Sequence, residues 1–165
     1  MLERSEHSTI SRDDDFVAWV LDQAKSLRRH KPREVDWKSL AEQLDEMYAQ
    51  ATADLLSDLT VILQHLLKLQ FQPGDNELKR RAREWKLSLT EHRGRIEWFL
   101  HGSRSMRKKL PEFINQAYKV ARKEAALHMD VEERTLPAKC PWTPEEVCDL
   151  DYFPERVNPS NGRKS

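Results

Sequence analysis

The chain has 165 residues, with 28 basic and 28 acidic side chains, so its formal net charge is zero. Hydrophobic residues make up 38% of the sequence, which excludes an intrinsically disordered protein, and four glycines are too few for a glycine-rich phosphate loop. No segment approaches the roughly 18 consecutive apolar residues of a membrane-spanning helix, so we expect no membrane insertion.

The N-terminal part of the chain combines a polar tail with a first amphipathic helix. Residues 1–12 are polar and lack the apolar centre of a secretory signal, so we predict a disordered tail there. Acidic residues at Asp13 to Asp15 suit the start of a helix, and Pro32 ends it. We predict one helical domain over residues 13–154 and a second disordered tail over 155–165.

A segment from Trp37 to Phe71 contains neither glycine nor proline, and Asp36 is placed to cap its start. Its apolar residues recur at helical spacing, which predicts one long amphipathic helix. Other helices must cover an apolar stripe of this length. The stripe consists of Trp37, Leu40, Leu44, Met47, Ala51, Leu55, Leu59, Ile62, Leu66 and Leu69.

Two more helices and an irregular arm follow the turn at Pro73 and Gly74. The third helix runs from Leu78 to Gly102, and the short turn predicts that it packs antiparallel to the second. A short helical turn around Met106 precedes a fourth helix that we expect to start near Pro111. After Met129 the chain is proline-rich, and Thr143-Pro144-Glu145-Glu146 predicts a capped short helix. The predicted fold is all-α: an antiparallel bundle of four main helices with a proline-rich C-terminal arm.

Four short sequence motifs occur along the chain. They are Leu40-Ala41-Glu42-Gln43-Leu44-Asp45-Glu46-Met47, then His65-Leu66-Leu67-Lys68, then Trp85 with Glu91-His92-Arg93, and finally Cys140-Pro141-Trp142-Thr143. From about Asp15 to Pro154 the chain resembles domain-of-unknown-function family number twenty-nine, a family of small helical bacterial proteins. The resemblance implies a helical fold and a bacterial cytoplasm. It implies no activity and no site residues.

Charge is segregated along the sequence. Residues 36–58 include six acidic residues and one lysine, whereas residues 79–109 include eleven basic and three acidic residues. The basic stretch could form a nucleic-acid-binding face. Internal pairing is the alternative, because antiparallel packing would bring Asp54 and Asp58 near Arg93 and Arg95, and Asp45 and Glu46 near Arg104. The residues of the predicted basic surface are Lys79, Arg80, Arg81, Arg83, Arg104, Arg107, Lys108 and Lys109.

The same packing would bring four side chains of the second and third helices together. They form a candidate polar cluster, either a satisfied structural network or a small ligand pocket, and they are His65, Trp85, His92 and Arg93. No paired Cys-x-x-Cys or Glu-x-x-His motif occurs, so we expect no metal site and no cofactor. Trp98 lies off the main apolar seam, and it either packs internally or anchors a partner.

The cysteines Cys140 and Cys148 are read as reduced thiols of a cytoplasmic protein. We expect Cys140-Pro141-Trp142 to anchor the arm on the bundle.

Three functions stay open. The first is a non-catalytic bacterial interaction module that self-associates or binds a protein partner. The second is a nucleic-acid-linked or antitoxin-like regulator. The third is an enzyme of unrecognised type, for which the sequence offers no catalytic residues.

Overall fold

The structure, a computed structural model, describes residues 11–13, 15–74 and 77–157. Within these ranges it contains helices and no strands, which confirms the all-α prediction. Most of the two predicted disordered tails lies outside the described residues. Two single 3₁₀ turns, at Pro32–Glu34 and Glu133–Thr135, accompany the five helices. The helices are α1 (Phe16–Arg28), α2 (Trp37–Phe71), α3 (Leu78–His101), α4 (Arg104–Met129) and α5 (Pro144–Cys148).

The described chain divides into two compact units, Met1–Thr52 and Ala53–Ser165, and the division falls inside α2. In the first unit, the side chain of Asp15 accepts a hydrogen bond from the N–H of Ala18 and caps α1. Asp36 caps α2 in the same way, because its carboxylate accepts from the N–H of Ser39 over 3.1 Å. Both caps agree with the sequence-based prediction.

The second unit is a bundle in which α3 runs antiparallel to α2 and α4 runs parallel to it. Asp58 of α2 contacts His92 of α3, and further along α2 His65 contacts Ser88, so the two helices run in opposite directions. Two other pairs, Gln64 with Glu124 and Lys68 with His128, keep a constant spacing, so α2 and α4 run in the same direction.

The C-terminal half of α2 is the centre of this bundle. Leu59, Ile62 and Leu63 are fully buried on its broad apolar face, and so are Leu66 and Leu67. Gln64 and Lys68, further round the helix, are buried as well, so most of the circumference is covered and this segment needs several neighbours. Here α3, α4 and the C-terminal arm supply them: Ile96, Ala121 and Val147 belong to the same core, as do Trp142 and Leu136.

The prediction that α4 starts near Pro111 is wrong. One helix runs from Arg104 to Met129, with Pro111 inside it. Proline lacks the N–H that would bond to the carbonyl four residues earlier, at a cost of about 3 kcal/mol. Met106 and Leu110, before the proline, and Phe113, after it, are all buried in the core. Packing of both segments against the same core favours the continuous helix despite this cost.

The arm after α4 is attached by its own side chains and by α4. Thr143 and Glu146 form the predicted reciprocal capping box at the start of α5. Trp142 is buried in the core, which confirms that it anchors the arm. Two side chains of α4 add hydrogen bonds: the hydroxyl of Tyr118 donates to the carbonyl of Pro137, and the guanidinium of Arg122 to that of Glu133.

The apolar stripe of α2 is only partly covered, so the prediction that other helices bury its whole length is wrong. On this stripe Leu55, Leu59, Ile62 and Leu66 are buried, but every residue from Ala41 to Gln50 except Gln43 is exposed. Leu44 is 59% exposed, and it lies about three turns before Leu55 on the same face of α2.

In the described part of the chain, no helix is both long enough and apolar enough to cross a bilayer.

Candidate functional sites

Arg93 is fully buried and binds the C-terminal arm. Its Nε donates to the carbonyl of Val147 over 2.9 Å, one Nη to Tyr152 over 2.7 Å, and the other Nη to Glu146 over 3.1 Å. Two of these carbonyls lie in the last turn of α5, where main-chain acceptors lack helical partners and a cation is favourable. Burial lowers the pKa of the guanidinium, but an arginine stays charged in this position.

His65 is paired with Ser88 and is held in its neutral form. Its Nε2 lies 3.1 Å from the Ser88 hydroxyl, and its buried Nδ1 has no hydrogen-bond partner among the described residues. An unprotonated Nδ1 without a donor costs less than a buried, unpaired N–H, so we assign the proton to Nε2. Burial, with a contribution from the charge of Lys68, lowers the pKa of His65 to about 4.

His92 belongs to a separate ionic group at the surface of the bundle. Its Nδ1 lies 2.7 Å from the carboxylate of Asp58, which also accepts from Arg95 over 2.8 Å. The predicted contact between Asp58 and Arg95 is therefore confirmed. The partner predicted for Glu46 was Arg104, but Glu46 accepts a hydrogen bond from Arg12 over 2.7 Å in the first unit.

The four residues of the predicted polar cluster thus divide among several contacts. His65 and His92 have different partners, and Arg93 faces the arm. Trp85, the fourth residue, lies under the ammonium group of Lys68, with 5.9 Å between Nζ and the ring centroid. The structure does not place these four side chains around one common centre.

A second polar network joins α2 to α4. Lys68 is buried, and its Nζ lies 2.7 Å from Nδ1 of His128 and 3.3 Å from the amide oxygen of Gln64. The amide nitrogen of Gln64 donates to the carboxylate of Glu124 over 3.2 Å. Burial lowers the pKa of Lys68, and Glu124 partly opposes this effect.

The predicted contacts do not include this Lys68 network, although the sequence contains a signal for it. Gln64 and Lys68 are one turn apart in the most apolar part of α2, and Glu124 and His128 are one turn apart in α4. Two polar pairs of equal spacing on two helices can face each other when the helices are parallel. The short turn at Pro73 and Gly74 fixes how α3 aligns with α2, but the sequence contains no such turn that aligns α4 with α2.

Further candidate groups are the side chains that could bind a metal and the two cysteine thiols. Within residues 11–13, 15–74 and 77–157, no three His, Cys, Asp or Glu side chains lie together as metal ligands would. Cys140 and Cys148 are both free thiols. Burial raises the pKa of both, that of Cys148 to about 11, so neither is activated as a nucleophile.

One concave site in the second unit lies where α3, α4 and α5 meet. Its volume is about 400 Å³, with an apolar floor that includes Ile96 and Leu100 and a rim with both signs of charge. Arg107, on that rim, donates to the carbonyl of Leu100 near the end of α3. The other residues that line the site are Glu97, Leu110, Pro111, Pro144, Glu145, Cys148 and Asp149.

The residues of the predicted basic surface have different environments. Arg80 is neutralised by Glu77 and Glu84, and Arg107 is bound to a carbonyl. Arg81 and Lys109 also have interactions within the protein. Arg104 and Lys108 are exposed at the start of α4. Lys79 and Arg83 line a shallow groove of about 440 Å³ along α3, together with Ala82, Lys86, Leu87 and Thr90.

Exposed apolar side chains occur on several of the described helices, and two groups of them each share one helix face. The first, which we call the α2 open face, lies in the first unit and consists of Trp37, Leu44, Met47 and Tyr48, all more than half exposed. The second lies on α3, where Trp98 is 83% exposed and Leu87 is 67% exposed. Of the two alternatives for Trp98, the structure shows the exposed one.

The comparisons with known proteins agree with the resemblance found in the sequence. Neither the curated proteins nor the solved structures include a match to this chain. The family model described as domain of unknown function DUF29 matches residues 12–153, which is most of the chain and includes all five helices. The chain therefore belongs to the DUF29 family.

Proposed function

We propose that this protein is a non-catalytic interaction module, and that its α2 open face binds an amphipathic helix of another protein chain. The observation that supports this most strongly is the exposure of Leu44, Met47 and Tyr48 on a helix whose same face is buried from Leu55 onward. Exposed apolar side chains do not stabilise a monomeric protein, whereas a partner helix would bury them.

The charges around the α2 open face indicate what kind of helix would fit. Glu42, Asp45 and Glu46 are the acidic residues beside the apolar side chains of this face. Arg12 and Lys38 already pair with Glu42 and Glu46, which leaves Asp45 beside Leu44 and Tyr48 on the helix surface. A partner with an apolar stripe flanked by basic side chains would therefore complement this face in shape and charge.

The environments of the titratable groups support a non-catalytic role. Lys68 and Arg93 both use their donors on protein acceptors, and His65 is half-buried and hydrogen-bonded to Ser88. The pKa values of Cys140 and Cys148 are raised, which is the opposite of what a catalytic thiol needs. A buried polar network stabilises a fold. Ser88 lies beside His65, but an imidazole protonated at Nε2 donates to the hydroxyl and does not act as its base.

The test of this proposal is a comparison of three baits in affinity capture from the source organism. They are the wild type, the double variant Leu44→Glu/Met47→Glu, and the control Lys123→Glu, which changes charge at an exposed position of α4. We expect the wild type and the control to retain the same partner and the double variant to lose it. Identical capture by all three baits would contradict a role for the α2 open face.

The bacterial cytoplasm is part of this proposal as the site of action. Both cysteines are free thiols, which suits a reducing compartment. Fractionation of the source cells, with detection by an antibody against the protein, tests this location; resistance of the purified protein to mild oxidants does not. Recovery of the protein in an extracytoplasmic fraction would contradict the assignment.

A second candidate function, nucleic-acid binding, is favoured by the groove on α3. Lys79, Arg83 and Lys86 line the same side of the helix, and neither Lys79 nor Arg83 has an ion-pair partner among the described residues. Three phosphate contacts to a DNA duplex would give a slope of log affinity against log salt of roughly −3. Anisotropy titrations at several salt concentrations, with Lys79→Glu/Arg83→Glu as the matched variant, test this. Binding that does not change with salt or with the variant would exclude it.

A further inference from the structure

The outward face of α3 has three features that the folded monomer does not explain. Leu87 and Trp98 are both strongly exposed, and they lie opposite the buried side of α3, which contains Leu89 and Ile96. The two exposed residues are eleven positions apart, about three helical turns, so they lie in line along the helix. Between them, on the same line, lies Gly94.

Nothing in the described monomer requires glycine at position 94. It lies in the interior of α3, where glycine costs about 1 kcal/mol of helix stability relative to alanine. A Cβ atom built at this position meets no atom within 4 Å, so there is no internal crowding that requires glycine. Glycine at the surface of a helix does, however, let another helix approach its backbone closely.

The arrangement is self-complementary. Leu87 and Trp98 are equally far from the midpoint between His92 and Arg93. When two α3 helices pack antiparallel about that midpoint, Leu87 of each copy meets Trp98 of the other. Gly94 of each copy then lies opposite Glu91 of the other, near the two-fold axis. An interface of this kind uses the same patch twice, as two-fold symmetric dimers do.

The charges on this face agree with the same register. In this register Glu91 lies opposite Gly94 of the second copy, so Arg95 of that copy is its neighbour along the helix. In the monomer, Arg95 already donates to Glu91 over 3.0 Å and to Asp58, which holds its guanidinium at the edge of the face. Each glutamate would therefore have an opposite charge of the second copy beside it, while the two glutamates flank the two-fold axis.

From these features we infer that two copies of this chain form a two-fold symmetric dimer through the outward face of α3. Trp98 is the anchor of the interface, and Gly94 allows the close approach of the two helices. None of these residues belongs to the α2 open face, so this inference does not rest on the proposed function.

The test is the mass of the protein in solution, measured by light scattering over a range of concentrations. The monomer has a mass of 19.5 kDa, and we expect the wild type to reach twice that value. Two variants address the interface, Trp98→Glu and Gly94→Leu. Each should weaken the dimer roughly 30-fold or more, as loss of an interface hot spot does. Lys119→Leu, at an exposed position of α4, adds the same side chain as Gly94→Leu outside the interface and should leave the dimer intact.

The Gly94→Leu variant separates an interface effect from a folding effect. Its side chain enters open space and replaces glycine with a better helix former, so the monomer should unfold at an equal or higher denaturant concentration. A wild type that stays at 19.5 kDa at every concentration would overturn the inference. So would a dimer that both variants leave unchanged, because it would use another surface. Loss of partner capture by the Leu44→Glu/Met47→Glu variant with an intact dimer would show that the two sites are independent.

Discussion

The guanidinium of Arg93 and the carbonyl oxygen of Val147 are joined by a 2.9 Å hydrogen bond across 54 positions of the sequence. Val147 is fully buried, and so is Arg93. A buried cation that satisfies three main-chain acceptors is the main polar connection between α3 and the C-terminal arm. The arm closes the core with Trp142 and Val147, so its attachment affects the stability of the second unit.

Replacement of Arg93 by methionine should destabilise the protein by about 3 kcal/mol. The change removes the donor from one buried and two partly buried carbonyls. Hydrogen bonds to charged groups contribute roughly 1.5–3 kcal/mol each, and the lower desolvation cost of methionine offsets part of that loss. Urea unfolding followed by circular dichroism measures the effect. Arg95→Met is the control, since Arg95 is exposed and its ion pairs should contribute no more than about 1 kcal/mol. Equal midpoints for the two variants would show that the Arg93 contacts contribute little.

The protein should lose stability as the pH falls from about 6.5 to about 4, because of His65. Its pKa is about 4 in the folded protein and 6.5 in an unfolded chain, so the unfolded state binds a proton in this range and the folded state does not. The contribution is fully present above pH 6.5 and is lost progressively below it, up to about 3 kcal/mol. In the variant His65→Gln this part of the pH dependence should disappear. Unfolding midpoints measured between pH 4 and pH 7.5 test it, and identical slopes for both proteins would contradict the assignment.

The thiol of Cys148 should react slowly with alkylating reagents in the native protein. Burial raises its pKa to about 11, so very little thiolate is present near pH 8. Iodoacetamide labelling followed by peptide mass spectrometry should show slow modification in buffer and fast modification in denaturant. Rapid native labelling of Cys148 would indicate an activated thiol and would reopen the enzyme hypothesis.

Removal of the hydroxyl at the start of α5 should cost about 1 kcal/mol, the usual effect of losing an N-cap. Thr143 accepts from the N–H of Glu146 over 3.2 Å, and its own N–H donates to the Glu146 carboxylate over 2.9 Å. Thr143→Ala removes the first bond, whereas Thr143→Ser preserves it and serves as the control. Equal unfolding midpoints for the two variants would indicate that the arm holds α5 without its cap.

The helices could be predicted from the sequence because each one has local signals. Asp15 and Asp36 cap the first two helices, and Thr143 caps the last. At Pro111 the local pattern predicts a helix start, because proline suits a first turn, whereas burial of residues on both sides of it favours one continuous helix. That choice depends on tertiary packing, which a local pattern does not contain.

The side-chain contacts were harder to predict than the helices. Antiparallel packing of α2 and α3 gave the contact between Asp58 and Arg95, because one short turn fixes their register. Arg93, two positions away from Arg95, points to the opposite side of α3 and binds an arm whose path depends on α4 and Trp142. The exposed Leu44 was predicted to be buried, since helical periodicity identifies an apolar face but does not identify the chain that covers it.

Site-specific photo-crosslinking tests whether the α2 open face binds another protein chain. A photoreactive phenylalanine analogue is placed at position 44, within that face, or at position 123, an exposed control position of α4. After irradiation in the source cells, we predict a defined higher-mass adduct of the position 44 protein and none at position 123. Absence of an adduct at position 44, or the same adduct from both positions, would contradict the claim.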